Sequence, residues 1–192
     1  MQIQQVLALN LSGQPFEWLT PEDAVSIYAK GNVAWDLGDT ARVFYGGVSR
    51  LGVQSTIAVK PIVAMARSEM MSRWLPHELP LSPRDNDLLF RRDRYTCVYC
   101  GFQFPRGRLT RDHIVPRSAG GRDEWTNCAT ACRGCNGAKG SKSVEDFMPL
   151  LYVPYVPNRA EHFILTGRNI LADQHEYLAA QLPKHSRSLL FH

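Results

Sequence analysis

Two cysteine pairs of identical spacing mark this 192-residue chain: Cys97 with Cys100, and Cys132 with Cys135. Thiolates three positions apart on a tight turn point at one ion, and four thiolates complete a closed tetrahedral zinc site. Four buried cysteines without a ligand would leave the repeated spacing unexplained. The fifth cysteine, Cys128, lies outside both pairs and is expected to be a small core residue. The pairs therefore predict a structural Zn²⁺ ion in a protein of a reducing compartment.

The segment between the pairs carries polar residues suited to a second metal and to phosphodiester cleavage. Residues 108–115, RLTRDHIV, predict a strand on which the neighbours Asp112 and His113 point to opposite sides. One of them can then face a metal while the other faces a substrate. Taken singly, each polar residue has a structural explanation. Asp112 could pair with an arginine, and Asn127 and Asn136 could satisfy backbone groups at a helix end or turn.

As a set, these residues resemble the HNH endonuclease family. The matches are Asp112-His113 for the family's D-H, residues 125–127 (WTN) for W-x-N, and residues 132–139 (CRGCNGAK) for C-x-x-C-N-x-x-K. The resemblance covers roughly residues 84–148. Asn136 stands where the family name has histidine, a position that asparagine often occupies. The resemblance implies a ββα-metal fold, in which two strands and a helix hold one divalent ion.

The resemblance also implies a role for each polar residue. His113 would be the general base that takes a proton from the attacking water. Asp112 and Asn136 would hold Mg²⁺ or Mn²⁺ through oxygen ligands. Asn127 would bind the backbone near His113 and keep the base in place. The implied products are a 5′-phosphate and a 3′-hydroxyl.

Positive charge is concentrated in the same part of the chain. Residues 83–142 carry twelve lysines and arginines against six acidic residues, whereas the rest of the chain carries ten against twelve. Arginine suits phosphate oxygens, so the partner is expected to be DNA, taken as double-stranded, although a solvated surface also explains the bias. The residues expected to contact nucleic acid are Arg111, Arg117, Arg133, Lys139 and Lys142.

The remaining sequence predicts an α+β fold. A ββα-metal HNH nuclease module with structural zinc would occupy residues 81–148. Residues 1–80 would form an N-terminal α/β extension of unknown role, and residues 149–192 a C-terminal connector and helical tail. Helix starts are predicted at Thr20, where Pro21 and two acidic residues follow, and at Ser82.

Two functions from different classes fit these patterns. The first is a metal-dependent DNA endonuclease or nickase, and the second is a zinc-stabilised DNA-binding module without catalytic activity. A redox function of the C-x-x-C pairs is disfavoured, since a closed zinc site would quench both pairs. Cutting both strands with one active site per chain would favour a homodimer or two successive nicks. The sequence contains no run of about 18 apolar residues and no signal peptide, so we expect a soluble, cytoplasmic protein without a membrane partner.

Overall fold

The computed structural model describes residues 4–39, 42–66, 81, 86–184 and 186. The chain forms two compact units, one made of Met1–His77 with Arg159–His192 and the other of Glu78–Asn158. Strands and α-helices occur in both units, which confirms the α+β class. None of the helices within the described residues is long and apolar enough to cross a lipid bilayer.

The strands and helices of the described residues are numbered in chain order. The strands are β1 (Val6–Leu9), β2 (Pro15–Leu19), β3 (Val33–Leu37), β4 (Arg42–Val48), β5 (Gln54–Val59), β6 (Ile62–Met65), β7 (Leu109–His113) and β8 (Cys128–Cys132). The helices are α1 (Pro21–Ala29), α2 (Asp87–Arg92), α3 (Arg133–Lys139), α4 (Arg159–Thr166) and α5 (Ala172–Ala179).

The first unit is built on a four-stranded sheet in the order β2-β1-β6-β3, beside a separate β4–β5 hairpin. Strands β1 and β6 pair in parallel, and the other neighbours in the sheet pair antiparallel. All four residues of β1 are buried because apolar side chains cover both faces of the sheet. Leu7 packs in a cluster with Phe163 of α4 and Leu178 of α5, whereas Val6 packs in a second cluster with Ala24 of α1.

Local signals in the sequence account for several boundaries of this unit. The Thr20 hydroxyl accepts a hydrogen bond of 3.1 Å from the Asp23 amide, so the predicted start of α1 is confirmed. Helix α5 lies within residues 149–192, where a connector and a helical tail were predicted. Helix α4 lies in the same segment, at a position for which no separate helix was predicted from the sequence. The predicted helix start at Ser82 and the apolar residues Met70, Met71, Trp74 and Leu75 lie outside the described residues.

The second unit contains an antiparallel β7–β8 hairpin followed directly by α3. Leu109 pairs with Cys132 and His113 with Cys128. The strand that carries Asp112 and His113 therefore lies beside the strand that ends at the second cysteine pair. Cys132 is both the last residue of β8 and the N-cap of α3, where its sulfur accepts from the Cys135 amide at 3.4 Å. The expected ββα arrangement follows from this short connection, because no loop separates strand from helix.

Helix α2 is fixed to this hairpin by a buried ion pair. The Arg92 guanidinium contacts both Asp93 carboxylate oxygens and donates to the carbonyl oxygens of Trp125 and Cys128, at 2.7 and 2.8 Å. Asp93 in turn accepts from the Thr130 amide of β8 at 2.8 Å. A buried pair of this kind is tolerated because each charged group has several hydrogen-bond partners. Arg92 is thus a structural residue, although it belongs to the arginine-rich segment.

Candidate functional site

The four paired cysteines come together in the second unit. Their sulfur atoms all lie within 4.8 Å of one another, with Cys97 and Cys132 buried and Cys100 and Cys135 half-buried. Gly101 makes the first turn possible, because its φ of +73° is readily adopted only by glycine, and its amide donates to the Cys97 carbonyl at 3.0 Å. The cluster fits a structural zinc ion held by four thiolates.

Backbone amides favour the thiolate form of Cys97. Burial raises the pKa of the Cys97 thiol, but the backbone amides of Cys100, Cys132 and Tyr99 outweigh burial and hold that pKa below its usual value. The pKa of Cys135 is raised, first by burial and then by the neighbouring thiols. A bound cation would stabilise the thiolate form of both residues.

Asp112 is buried and contacts one residue beside each cysteine pair. Its Oδ2 accepts a hydrogen bond of 2.5 Å from the hydroxyl of Tyr99, which lies between the first two cysteines. Its Oδ1 accepts from the Lys139 ammonium at 3.1 Å, at the end of α3. Burial and then the carboxylate of Asp112 raise the pKa of Tyr99, so the hydroxyl stays protonated and donates.

Lys139 was expected to contact nucleic acid, but it lies in the interior of the second unit. Its side chain is only 1% exposed, and the ammonium also donates to the His113 carbonyl oxygen at 2.8 Å. The ammonium therefore faces Asp112 and the β7 backbone, not the solvent where a phosphate would bind. Its observed role is to neutralise a buried carboxylate and to tie the end of α3 to β7.

Asn136 lies on the same face of β7 as Asp112. Its Nδ2 donates to the Thr110 hydroxyl at 2.8 Å and to the Arg111 carbonyl oxygen at 3.1 Å. Thr110 and Asp112 lie two positions apart, so their side chains point to the same side of the strand. Asn136 contacts the Thr110 hydroxyl, which places the two predicted ligands on that side. Carboxylate and amide oxygens are hard donors, which fit Mg²⁺ or Mn²⁺. A cation held by both residues would share Asp112 with the Lys139 ammonium.

His113 contacts a different set of residues from its neighbour Asp112. Its Nε2 lies 3.0 Å from Oδ1 of Asp123, and the side chains of His113 and Asp123 are 15% and 19% exposed. Two arginines hold the same carboxylate: Arg111 Nη1 donates to Oδ1 at 2.7 Å, and Arg117 Nη2 donates to Oδ2. Neighbouring residues of a strand point to opposite sides, as predicted from the sequence. His113 therefore contacts Asp123 on one side of β7, and Asp112 contacts Tyr99 and Lys139 on the other.

The charge of Asp123 is secured by these neighbours. Burial raises the pKa of the carboxyl group, but the hydrogen bonds from Arg111 and His113 and the positive charges of Arg111 and Arg117 lower it to about 2. One nitrogen of His113, one oxygen of Asp123 and the sulfur of Cys128 also lie within 4.8 Å of one another, as metal ligands could. Because two guanidinium groups already bind the carboxylate, their charge opposes a further cation, and we interpret the cluster as a hydrogen-bonded network.

Asn127 clamps the loop that follows His113. Its Oδ1 accepts from the Val115 amide at 2.9 Å, and its Nδ2 donates to the carbonyl oxygens of Arg122 and Val115 at 2.9 and 3.3 Å. Its own carbonyl oxygen accepts from the Ile114 amide at 2.9 Å. Three of these bonds hold the backbone of Ile114 and Val115, immediately after His113, and the fourth ties this segment to Arg122.

The other basic residues expected to contact nucleic acid differ in exposure. Arg117, Arg133 and Lys142 are exposed, and the Arg117 side chain is 64% exposed. The Arg111 side chain is only 7% exposed because it packs against Asp123. Arg133 and Lys142 are thus exposed to a large anionic ligand, Arg117 is exposed but also pairs with Asp123, and Arg111 serves the interior of the network.

Two residues of the site, Tyr99 and Asp123, were not identified from the sequence. Tyr99 has the appearance of a core aromatic, and only its position inside a C-x-x-C pair signals proximity to the cluster. Asp123 lies in a loop with Arg122 and Glu124, where its charge resembles that of an ordinary surface residue. Neither contact follows from sequence spacing, because both join residues ten or more positions apart.

Comparison with known protein families matches one segment of the chain. Residues 97–142, about a quarter of the chain, match the model of a family described as HNH endonuclease. The matched segment runs from the first cysteine of the cluster to Lys142, so it includes both pairs, β7, β8 and α3. No curated protein and no solved structure matches the chain.

Proposed function

We propose that this protein is a metal-dependent DNA endonuclease or nickase that hydrolyses phosphodiester bonds, because residues 97–142 match the HNH endonuclease family model. The domain implies a nucleic acid as substrate. The observation that carries the proposal is the division of β7 into two faces. Asp112 and Asn136 lie on one face, and His113 lies on the other with its own carboxylate partner.

We assign the metal-binding role to Asp112 and Asn136. A bound Mg²⁺ or Mn²⁺ would stabilise negative charge that develops on the phosphate and on the leaving 3′ oxygen. Asp112 is oriented for this role by the Lys139 ammonium and the Tyr99 hydroxyl. Asn136 follows Cys135 directly, so the second cysteine pair fixes the position of this ligand. The four-cysteine zinc site is structural and lacks an open position for substrate.

We assign the general-base role to His113. Its imidazole would take a proton from a water molecule as that water attacks the phosphorus atom. Asn127 would keep the base in place through the backbone bonds to Val115 and Ile114. Cleavage of the bond to the 3′ oxygen would leave a 5′-phosphate and a 3′-hydroxyl.

Binding of DNA would use the exposed cations Arg117, Arg133 and Lys142. Contacts of this kind go to the phosphate backbone, and they hold double-stranded DNA without reading its sequence. With one site in each chain, cleavage of both strands would require a homodimer or two successive nicks. Because the contacts are with phosphates, salt should weaken DNA binding strongly, whether the protein acts as a homodimer or makes two successive nicks.

Incubation of supercoiled plasmid with the protein and Mg²⁺ or Mn²⁺ tests the proposal. We expect conversion to nicked or linear DNA by the wild-type protein and a loss of about 100-fold or more in the His113→Ala variant. Thr126→Ala, an exposed residue of the same segment, is the matched control and should cut like the wild type. Equal cutting by wild type and His113→Ala, or no cutting of any DNA form, would exclude the proposed mechanism.

One observation favours the second candidate, a zinc-stabilised DNA-binding module without activity. The Lys139 ammonium already neutralises Asp112, so the carboxylate has a cation partner before any metal arrives. This candidate predicts that His113→Ala leaves DNA binding and stability unchanged, whereas Cys132→Ser unfolds the second unit. We favour the endonuclease because a binding module has no need for the His113–Asp123 pair beside Asp112 and Asn136.

A further inference from the structure

The function proposed above gives His113 the role of general base but assigns no role to Asp123, which contacts it. We infer that Asp123 is a positioning residue: it accepts a hydrogen bond from Nε2–H of His113 and leaves Nδ1 as the nitrogen that takes the proton. This inference rests on the proposed function, in which His113 is the general base. The evidence is the distances, burial and charge of four residues that form one network: Arg111, His113, Arg117 and Asp123.

The distances decide which nitrogen of His113 carries the hydrogen. An ionised carboxylate can only accept, so the 3.0 Å contact of Asp123 Oδ1 with Nε2 requires a proton on Nε2. The competing donor is Nε of Arg117, which lies 3.4 Å from the same nitrogen and would require that nitrogen to be unprotonated. The shorter contact to the charged acceptor is the stronger one, so it sets the tautomer.

The carboxylate that makes this contact is held rigidly. Arg111 approaches from the interior, where its side chain is 7% exposed, and donates to Oδ1 at 2.7 Å. Arg117 approaches from the solvent and donates to Oδ2. With one guanidinium on each oxygen, the carboxylate plane is fixed, and the pKa of about 2 keeps it ionised near neutral pH. A fixed acceptor fixes the imidazole ring in turn.

The arrangement also suits the charge that forms during the reaction. When water attacks, its proton moves to Nδ1, the new bond forms between oxygen and phosphorus, and the bond from phosphorus to the 3′ oxygen breaks. The departing 3′ oxygen keeps the electron pair and takes a proton from solvent. His113 is then an imidazolium ion whose Nε2–H still faces Asp123, so the charge of the carboxylate stabilises it.

The tautomer can be observed without any catalysis. Nitrogen-15 NMR of the histidine rings in the full-length, zinc-loaded protein, at a pH of about 8.5 where histidine is neutral, distinguishes Nε2–H from Nδ1–H. The His113→Gln variant assigns the His113 signals. We expect Nε2–H in the wild type and in Asp123→Asn, whose amide oxygen still accepts, and a mixture of tautomers in Asp123→Ala. Nδ1–H in the wild type would overturn the inference even if a variant failed to fold.

Cleavage kinetics provide the second measurement. We expect Asp123→Ala to lower kcat about 10- to 100-fold with little change in KM, because part of the general-base contribution is lost. Asp123→Asn should fall less, since it keeps the tautomer and loses only the charge. Glu124→Gln is the matched control, as an exposed acid next in sequence, and should retain full activity. Equal kcat in Asp123→Ala and Glu124→Gln would overturn the inference.

The two measurements separate this inference from the proposed function. If the wild type cuts no DNA, the proposed function fails, and the NMR result still decides whether Asp123 sets the tautomer of His113. If the wild type cuts DNA and the Asp123→Ala ring keeps the wild-type signature, the proposed function stands and the positioning role of Asp123 is excluded.

Discussion

The hydroxyl of Tyr99 donates a 2.5 Å hydrogen bond to Oδ2 of Asp112. Tyr99 lies between the first pair of cysteines, and Asp112 lies beside His113 on β7, so this bond joins the cysteine cluster to the proposed metal-binding residue. Tyr99 also packs edge-on against Phe147, with ring centroids 5.2 Å apart. Tyr99 therefore fixes the orientation of Asp112 from within the first cysteine pair.

The first prediction concerns this bond. Tyr99→Phe leaves one oxygen of a buried carboxylate without its donor, which should lower the free energy of unfolding by about 1–3 kcal/mol. Because Asp112 can then rotate, cleavage should also become slower and require more Mg²⁺ or Mn²⁺. Tyr152→Phe is the matched control, since it removes a 3.0 Å hydroxyl bond to the Thr96 carbonyl and does not involve Asp112. Identical metal dependence in the two variants, measured by plasmid cutting, would contradict the orienting role.

The second prediction concerns the buried charge of Lys139. Lys139→Met leaves Asp112 buried without its cation, which should lower the free energy of unfolding by about 3–5 kcal/mol in urea titrations. The double variant Lys139→Met with Asp112→Asn should recover part of that loss, because no charge then remains uncompensated. Lys142→Met changes an exposed lysine and should stay within about 0.5 kcal/mol of the wild type. A Lys139→Met variant as stable as the wild type would show that the pair contributes nothing.

The third prediction separates the two metals. Removal of zinc with a strong chelator should lower the melting temperature, because metal binding is coupled to folding of the second unit. Withdrawal of Mg²⁺ or Mn²⁺ alone should stop cutting and leave the circular dichroism spectrum and melting temperature unchanged. Unfolding on mild magnesium depletion would show that the division between structural and catalytic metal is wrong.

Two cysteine variants add a control for the zinc ligands. Cys135→Ser should reduce the zinc content measured by elemental analysis, since it removes one of the four thiolates. Cys128→Ala should keep the wild-type zinc content, because its sulfur belongs to the network around Asp123 and not to the four-cysteine cluster. Zinc loss in Cys128→Ala would instead indicate a metal bound beside His113.

The fourth prediction concerns the loop after His113. A Cβ atom added to Gly121 would lie 1.8 Å from the Val115 carbonyl oxygen and 2.9 Å from Nδ2 of Asn127. Gly121→Ala should therefore displace the clamp, lowering the free energy of unfolding by about 1–3 kcal/mol and slowing cleavage. Gly107→Ala is the matched control, as an added Cβ there would contact no atom within 4 Å. Both properties are measurable on the same preparations, and equal behaviour of the two variants would contradict the role of the clamp.

The local features of this protein were predictable because they depend on neighbours in sequence. Thr20 caps α1 through an amide three residues away, and Gly101 closes the first cysteine turn within five residues. Opposite orientation of Asp112 and His113 is a property of any strand. The four-cysteine cluster was also predictable, since equal spacing of two pairs leaves few other arrangements.

The contacts that distinguish the site were not predictable in the same way. Lys139 was expected to contact the phosphate backbone because it follows the second cysteine pair, as Lys142 does. It is buried because the β7–β8 hairpin brings Asp112 and the His113 carbonyl to the end of α3, where the ammonium satisfies both. Helix α4 was missed for a related reason. Its apolar residues are buried only by packing with Leu7 and Ile62, which belong to a sheet far away in sequence.

By itself, the sequence determined the α+β class, the four-cysteine cluster, the HNH motif and the separation of Asp112 from His113. Each of these depends on residue type and on spacing over a few positions. Only the tertiary structure decided what each charged group contacts: Tyr99 and Lys139 for Asp112, and Asp123 for His113. The physical reason is that hydrogen bonds and ion pairs act over about 3 Å, and only the packed hairpin, loop and helix bring these distant residues that close.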